Sequence, residues 1–261
     1  MGHLPEVLHI AVRNYGTFGM TARRVFLLAG AGMVAAALWR GRGVSTNALR
    51  FAPVGSLPGY RKLTGIGATS GNGRGSFDPL TIGLGATAGV DPAQRAHVQE
   101  NADRVLFGET AAPAMAYFTD IRCPICRPFE RDLDVLQEEI PGLSRVVHEF
   151  PIFGQDSVRA AQALIAAGPE LRPVLRNRLQ RAPVVINDAY LTTVIASLDA
   201  DPEPILAAME GAAVQDTLST SRALAELFGF VGTPALVMGH TAILGAQPLR
   251  VLRAVAEAEF T

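Results

Sequence analysis

Two cysteines, Cys123 and Cys126, are the residues of this chain whose type and spacing most directly indicate chemistry. They are the only cysteines, and a Pro-Ile pair separates them in a Cys-x-x-Cys motif. That spacing allows the two sulfur atoms to form a disulfide, and allows the second thiol to resolve a mixed disulfide formed by the first. An arginine on each side of the motif favours the thiolate, which is the reactive form of cysteine. The motif therefore indicates thiol–disulfide exchange.

Two other interpretations of the same cysteines stay open: they are buried apolar residues, or they form half of a metal site shared between chains. Thiolates bind copper(I) or zinc well, so a copper carrier is the corresponding function. A structural zinc site normally needs four ligands, however, and the five histidines of the chain are scattered without ligand spacing. The glycine-rich residues 83–89 lack the lysine and hydroxyl residue of a phosphate-binding loop. We therefore predict neither a metal nor a cofactor.

The segments around the motif predict the elements that position it. Residues 114–119 are short, apolar and aromatic, which is typical of a buried strand. After the motif, apolar residues follow the period of an amphipathic helix up to Pro141-Gly142, and residues 146–150 predict a second strand. The order strand–helix–strand favours a parallel crossover. Cys123 is then expected in the first turn of the helix, exposed and with a lowered pKa, while Cys126 is expected to be buried.

The rest of the chain extends this unit to a domain over residues 91–261. Asp91-Pro92 predicts the start of a helix that runs toward Gly108. Residues 156–229 predict a helical insertion, residues 235–238 and 241–244 two strands of a hairpin, and the end of the chain a last helix. The predicted fold class is α/β, with the order βαβ, insertion, ββα.

The first ninety residues have a different character. Residues 25–38 are apolar and follow two arginines, so that residues 23–39 predict an export signal or membrane anchor within residues 1–40. The run of 14 apolar residues is shorter than the ~20 residues of a full membrane span. Residues 41–90 hold many of the glycines and are predicted to be a linker without a core. The net charge of −1 gives no sign of a nucleic-acid partner.

Four motifs together resemble the DsbA-like branch of the thioredoxin superfamily, and the resemblance covers residues 113–259. They are Phe118-Thr-Asp-Ile-Arg-Cys-Pro-Ile-Cys126, Glu149-Phe-Pro-Ile-Phe-Gly154, Gly232-Thr-Pro234 and Gly245-Ala-Gln-Pro248.

This resemblance implies a thioredoxin-like fold and a periplasmic thiol:disulfide oxidoreductase that acts on protein thiols together with a DsbB-like or DsbD-like membrane partner. It implies that Cys123 attacks, that Cys126 resolves, and that Thr233 and a cis Pro234 form the platform for the substrate. X-Pro bonds in general are mostly trans, so only the resemblance predicts a cis bond here. Whether the chain works as an oxidase, an isomerase or a reductase stays open.

Two departures from the family pattern bear on the chemistry. Oxidising members usually carry histidine between the cysteines, where this chain has Ile125, so we expect a less oxidising protein. Some members carry a buried glutamate six positions before the first cysteine, where this chain has Tyr117. Another group must then move the proton, and Glu149 on the neighbouring strand is the candidate. The alternative is that Glu149 is an ordinary surface residue at the end of a strand.

Overall fold

The computed structural model describes residues 49–65, 67–69, 90–109, 113–182 and 185–261. The predicted signal or anchor of residues 1–40 lies outside these ranges, as do residues 70–89 of the predicted linker. Within the described part of the chain, no helix is long and apolar enough to cross a membrane.

Six strands of the described chain form one mixed sheet in the order β1-β2-β6-β5-β3-β4. The third and fourth strands are parallel, and the third and sixth each pair antiparallel with the fifth. The first two strands form an antiparallel pair that extends the sheet through a parallel pairing with the sixth. The strands are β1 (Phe51–Pro53), β2 (Arg61–Leu63), β3 (Ala114–Thr119), β4 (Ser144–Glu149), β5 (Ala235–Met238) and β6 (Thr241–Leu244).

Nine helices of the described residues cover the sheet or form the insertion. They are α1 (Pro92–Glu100), α2 (Ala102–Phe107), α3 (Cys126–Glu139), α4 (Gln155–Ala166), α5 (Gly168–Leu179), α6 (Asp188–Ala196), α7 (Pro202–Ala208), α8 (Ala212–Phe228) and α9 (Leu249–Phe260).

Strand β3 is the central element because it is apolar on both faces. Alternate side chains point to opposite sides of a strand, and every residue of β3 is buried. Met115 and Tyr117 pack in one cluster with helices α3 and α9. Ala116 and Phe118 pack in a second cluster with α1, α2 and α8. The end of β3, where the cysteine motif begins, is therefore fixed from both faces of the sheet.

Helix α3 follows the motif and lies on the sheet through its predicted apolar stripe. Phe129, Leu133 and Leu136 are buried against β3 and α9. Burial of each such side chain stabilises the fold by about 1.5–3 kcal/mol. The helix ends at Glu139, before Pro141-Gly142 as predicted.

The helical insertion spans α4 to α8 and has a core of its own. Helices α4 to α7 bury one another's apolar side chains in a third cluster, and Ile121 of the cysteine motif's turn belongs to that cluster. The insertion is thus attached to the turn that carries the cysteines as well as to the sheet.

The prediction of the α/β fold with its insertion and its final ββα unit is confirmed. Two local predictions are wrong. The helix from Asp91 to Gly108 is interrupted because Asn101 leaves the helical conformation. Residues 49–65 are not linker, because they form β1 and β2 and bury Val54, Leu57 and Tyr60 in the core next to α8. The Tyr60 ring meets Phe228 edge-on, with the two ring centroids 5.1 Å apart.

The buried carboxylate of Asp120 holds the turn between β3 and α3. One of its oxygens accepts hydrogen bonds from the backbone of Arg122 and the hydroxyl of Ser157, at 2.8 and 2.7 Å. The other accepts from the backbone N–H groups of Ile152 and Phe153, at 2.6 and 3.2 Å. Asp120 thereby joins the cysteine turn, the loop after β4 and the first turn of α4.

We expect Asp120→Asn to lower the free energy of unfolding by about 2–3 kcal/mol, because the amide nitrogen cannot accept and hydrogen bonds to a charged acceptor are strong. Urea unfolding measures this loss. Asp216→Asn on the exposed side of α8 makes the same charge change and should cost less than about 0.5 kcal/mol. Equal stability of the two variants would show that the Asp120 carboxylate does not hold the turn.

Candidate functional site

The two cysteines lie at the junction of the turn and helix α3, and they form a disulfide with their Cα atoms 5.4 Å apart. Cys126 is the first residue of α3, and Ile125 is its N-cap. The prediction that Cys123 lies in the first turn of the helix is therefore wrong. The reason is local: the Cys123 N–H donates to the Asp120 carbonyl at 3.0 Å, which keeps Cys123 in the turn before the helix.

The positive end of helix α3 nevertheless points at the sulfur of Cys123. The backbone N–H of Cys126 donates to Cys123 Sγ over 3.2 Å. The first N–H groups of a helix have no partner within the helix, and they favour negative charge near them. A thiolate on Cys123 therefore gains a hydrogen bond from the same N–H that contacts the disulfide.

Access to the two sulfurs is unequal, but neither cysteine is exposed. Cys123 is 3% exposed and Cys126 is 1% exposed, so the prediction of an exposed Cys123 is wrong for the disulfide form. Cys123 still lines a surface cavity of about 280 Å³, which we call the Cys123 cavity. Its walls are Ile121, Arg122, Cys123, Pro124, Arg127 and Gln180, and Cys126 is not among them. The cavity thus approaches the disulfide from the Cys123 side.

The loop before β5 meets the same sulfur. The Thr233–Pro234 peptide bond is cis, as the resemblance implied. The carbonyl oxygen of Thr233 lies 3.6 Å from Cys123 Sγ, and Thr233 is fully buried. The structure therefore brings the pair Cys123 and Cys126 together with Thr233 and Pro234, which lie more than a hundred positions further along the chain.

A short segment from the predicted linker also reaches this loop. The hydroxyl of Thr69 donates to the Thr233 carbonyl at 3.1 Å. Ala68 exchanges two backbone hydrogen bonds with Ala246, beyond the end of β6. A Cβ on Gly67 would come within 2.2 Å of the Ala246 carbonyl oxygen, so this approach requires glycine. Sequence reasoning missed the contact, although a glycine next to a short polar segment is a weak sign of close backbone approach.

The side chain of Tyr117 contacts the backbone of Cys126 from strand β3. Its hydroxyl donates to the carbonyl of Cys126 at 3.2 Å. Burial, reinforced by the nearby carboxylate of Glu130, raises the pKa of Tyr117 far above its ordinary value. The phenol therefore stays protonated and acts as a fixed donor to the first residue of α3.

Glu149 is buried at the end of β4, so its interpretation as a surface residue is wrong. One carboxylate oxygen forms an ion pair with Arg176 of α5, and the other has no hydrogen-bond partner among the described residues. Burial raises the pKa of Glu149, while Arg176 and Arg172 oppose the shift. Glu149 makes no hydrogen bond to either cysteine in the described structure, so any part it plays at Cys126 is indirect.

No group of three or more histidine, cysteine or acidic side chains converges on a common point within the described ranges. Among the predicted site residues in the described ranges, the structure gathers Cys123, Cys126, Thr233 and Pro234 in one place.

Comparison with solved structures gives the fold a context. A thioredoxin-like oxidoreductase from Silicibacter pomeroyi is 27% identical, with a TM-score of 0.54, over 60% of this chain and 98% of that one. A periplasmic thioredoxin-like protein from Salmonella enterica is 25% identical, with a TM-score of 0.51, over 60% and 94%. The thiol-disulfide exchange protein alpha-DsbA2 from Wolbachia pipientis is 19% identical and shares the fold, with a TM-score of 0.53 over 66% and 99%.

The family relationship follows from the sequence itself. No curated protein matches significantly. The family model described as a DSBA-like thioredoxin domain matches residues 115–256, which is more than half of the chain. The matched region contains β3 from Met115 onward, the cysteine pair, the insertion and the cis proline. This chain therefore belongs to the DSBA-like thioredoxin domain family and is a thiol:disulfide oxidoreductase.

Proposed function

We propose that this protein exchanges disulfides with exported proteins, with Cys123 as the attacking cysteine and Cys126 as the resolving one. The observation that carries the assignment is the N–H of Cys126 directed at Cys123 Sγ over 3.2 Å. A second observation agrees with it, since the Cys123 cavity includes Cys123 and not Cys126. Only the first sulfur therefore has both a stabilising donor and an approach from the surface.

The exchange runs through a mixed disulfide in either direction. In oxidation, a substrate thiolate attacks Cys123 Sγ, the Cys123–Cys126 bond breaks, and Cys126 leaves with the electron pair and takes up a proton. A second substrate thiolate then attacks the substrate sulfur and releases Cys123 as a thiolate. Two electrons pass from the substrate dithiol to the protein. Reduction is the same path in reverse, with Cys123 attacking a substrate disulfide.

Thr233 and Pro234 are the proposed platform for the substrate backbone. The Thr233 carbonyl lies beside Cys123 Sγ and accepts from the hydroxyl of Thr69, and Thr233 is buried, so residues 67–69 must move aside before a substrate backbone pairs there. An extended substrate segment can pair with main-chain groups of this loop, as in β-strand addition. Such pairing would place the substrate sulfur next to Cys123.

Export and a membrane redox partner of DsbB-like or DsbD-like type complete the proposal. Support comes from the basic and apolar residues 23–39 and from the periplasmic Salmonella neighbour. Cys126→Ser keeps the attacking cysteine and removes the resolving one, so mixed disulfides with substrates should accumulate. In the native host, a diagonal gel of cell fractions should show these adducts in the periplasmic fraction.

Cys123→Ser is the matched control, because it keeps one cysteine and should trap nothing. Adducts that form equally with Cys123→Ser would reverse the assignment of the two cysteines. Adducts with cytoplasmic proteins alone would contradict export.

The surroundings of Cys123 favour a reductase or isomerase over a strong oxidant. A strong oxidant needs a well-stabilised thiolate in its reduced form. Here the N–H of Cys126 donates to the sulfur, but the Thr233 carbonyl oxygen faces the same sulfur and disfavours negative charge. Ile125 adds no donor, since its side chain is apolar.

Ile125→His should therefore make the protein more oxidising. A donor or positive charge beside Cys123 is worth about 1.5–3 kcal/mol for the thiolate, which corresponds to a roughly 10- to 100-fold shift of the equilibrium with glutathione. Equilibration in glutathione buffers, followed by acid quenching and alkylation, measures the shift. Ile125→Leu serves as control and should stay within about twofold of the wild-type equilibrium. No shift in Ile125→His would mean that residue 125 does not set the potential.

We propose that Glu149 accepts, through an intervening water molecule, the proton that Cys126 loses when it resolves a mixed disulfide. Glu149 is buried, and one of its carboxylate oxygens has no partner among the described residues. On β4 it lies opposite Thr119 of β3. Thr119 is two residues from Tyr117, whose hydroxyl donates to the Cys126 carbonyl. The raised pKa of Glu149 gives the pH dependence a sign: the carboxylate accepts protons only above that pKa, so resolution should accelerate as pH rises through it.

Glu149→Gln should slow resolution roughly tenfold and remove this rise, while attack by Cys123 stays unchanged. Quenched-flow analysis of mixed-disulfide decay against pH measures both steps. Arg176 keeps Glu130 as a partner at 3.8 Å in this variant, which favours retention of the fold. Glu139→Gln at the far end of α3 makes the same charge change and should behave as wild type. A wild-type pH profile in Glu149→Gln would exclude Glu149 from the proton path.

A further inference from the structure

We propose that the Cys123 cavity binds a carboxylate of the substrate, so that the preferred substrates are thiols with an acidic group next to the reacting sulfur. The inference rests on the proposed function of Cys123 and concerns the choice of substrate. It follows from the position of the cavity, from its positive charge, and from Arg127, whose guanidinium has no partner in the described ranges.

The position of the cavity couples it to the reacting atom. Cys123 forms part of its wall, and none of the residues of the loop before β5 does. A substrate backbone on Thr233 and a substrate side chain in the cavity therefore use different surfaces beside the same sulfur. The volume of about 280 Å³ suits one or two small side chains rather than a folded element.

The charge of the cavity is positive, although the chain as a whole carries a net charge of −1. Arg122 and Arg127 are its only charged wall residues. The uncharged amide side chain of the wall, Gln180, donates to Glu130 over 2.6 Å. Glu130 in turn faces Arg176 at 3.8 Å, so this carboxylate has its own counter-ion.

The two arginines differ in how they are held. One guanidinium nitrogen of Arg122 donates to the Ala182 carbonyl at 3.3 Å, which ties it to the segment that follows α5. Arg127 is half-buried and makes no side-chain hydrogen bond or ion pair with any residue in the described ranges. A partly buried guanidinium without a partner, beside a reactive sulfur, is suited to a carboxylate, because its planar donors match the two oxygens.

The chemical step is the exchange already given, with the substrate thiolate attacking Cys123 Sγ and Cys126 leaving with the electron pair. A carboxylate on a residue next to the substrate cysteine would enter the cavity and hold the attacking sulfur near Cys123. The bound anion adds no atom to the products, so it affects the rate and the choice of substrate and not the stoichiometry.

Single-turnover reduction of the full-length disulfide protein by matched cysteine peptides tests the proposal. In one peptide glutamate flanks the cysteine on both sides, and in the other glutamine does. Acid quenching followed by alkylation and mass spectrometry gives the rates. Each rate is divided by the rate of the same peptide with an uncharged pyridyl disulfide, which corrects for the different thiol pKa values.

The wild-type protein should prefer the glutamate peptide about tenfold at low ionic strength, and the preference should fall as salt screens the arginines. Arg127→Gln should reduce the preference, measured as the ratio of the two corrected rates in the same variant, to less than about twofold. Arg131→Gln removes the same charge one turn further along α3, outside the cavity wall, and should keep the preference.

A second pair of thiols identifies the source of the carboxylate. Free glutathione and its diethyl ester differ only in their carboxylates. If the protein prefers glutathione to its ester, Arg127→Gln abolishes this preference, and the two peptides react equally, the cavity binds small acidic thiols. If the protein prefers the glutamate peptide, the cavity binds acidic segments of proteins.

Equal corrected rates for both members of each pair, in a protein that reacts with all of them, would overturn the carboxylate site alone. An equal loss of preference in Arg131→Gln would also overturn it, because the effect would then come from the general charge of the helix. Failure of the wild-type disulfide to react with the uncharged glutamine peptide would instead count against the proposed function.

Discussion

The buried carboxylate of Asp120 is the interaction on which the geometry of the site depends. Its side chain accepts hydrogen bonds from three separate segments, and its backbone carbonyl accepts the N–H of Cys123. A buried charge is costly unless donors surround it, and here four donors do so. This single residue therefore fixes Cys123 relative to β3 and also fixes the first turn of α4, which begins the insertion. The cysteine turn and the insertion cannot move independently while Asp120 keeps its donors.

Opposed electrostatic contacts at one sulfur set the character of the redox site. The N–H of Cys126 favours a thiolate on Cys123, and the Thr233 carbonyl oxygen disfavours it. The hydroxyl of Thr69 donates to that same carbonyl and draws part of its negative charge away from the sulfur. The balance therefore includes a segment outside the motif residues, and the dipeptide between the cysteines is only one of the contributions.

The sequence predicted the central elements well because their signals are local. The stripe of Phe129, Leu133 and Leu136 predicts helix α3 through its spacing, and the short apolar and aromatic run of β3 predicts a buried strand through its composition. The joining of Cys123 and Thr233 was predicted only through the resemblance, because no local pattern encodes a contact between residues 110 positions apart. Residues 49–65 were assigned to a linker since two three-residue strands leave almost no periodic signal, and their glycines suggested chain without structure. The alternative of a surface position for Glu149 arose because its partner, Arg176, is supplied by the insertion.

The helical insertion consequently acts on the site from two directions. On the side of Cys126 it supplies Arg176, which holds Glu149 and faces Glu130 of the cysteine helix. On the side of Cys123 it supplies Gln180 and the Ala182 carbonyl, which close the cavity and tether Arg122. A plain βαβ–ββα unit would leave Glu149 without its counter-ion and Cys123 without a walled approach. Because the sheet and helix α3 position the sulfurs while the insertion builds their surroundings, we assign the chemistry of exchange to the common fold and the proposed selectivity to the insertion.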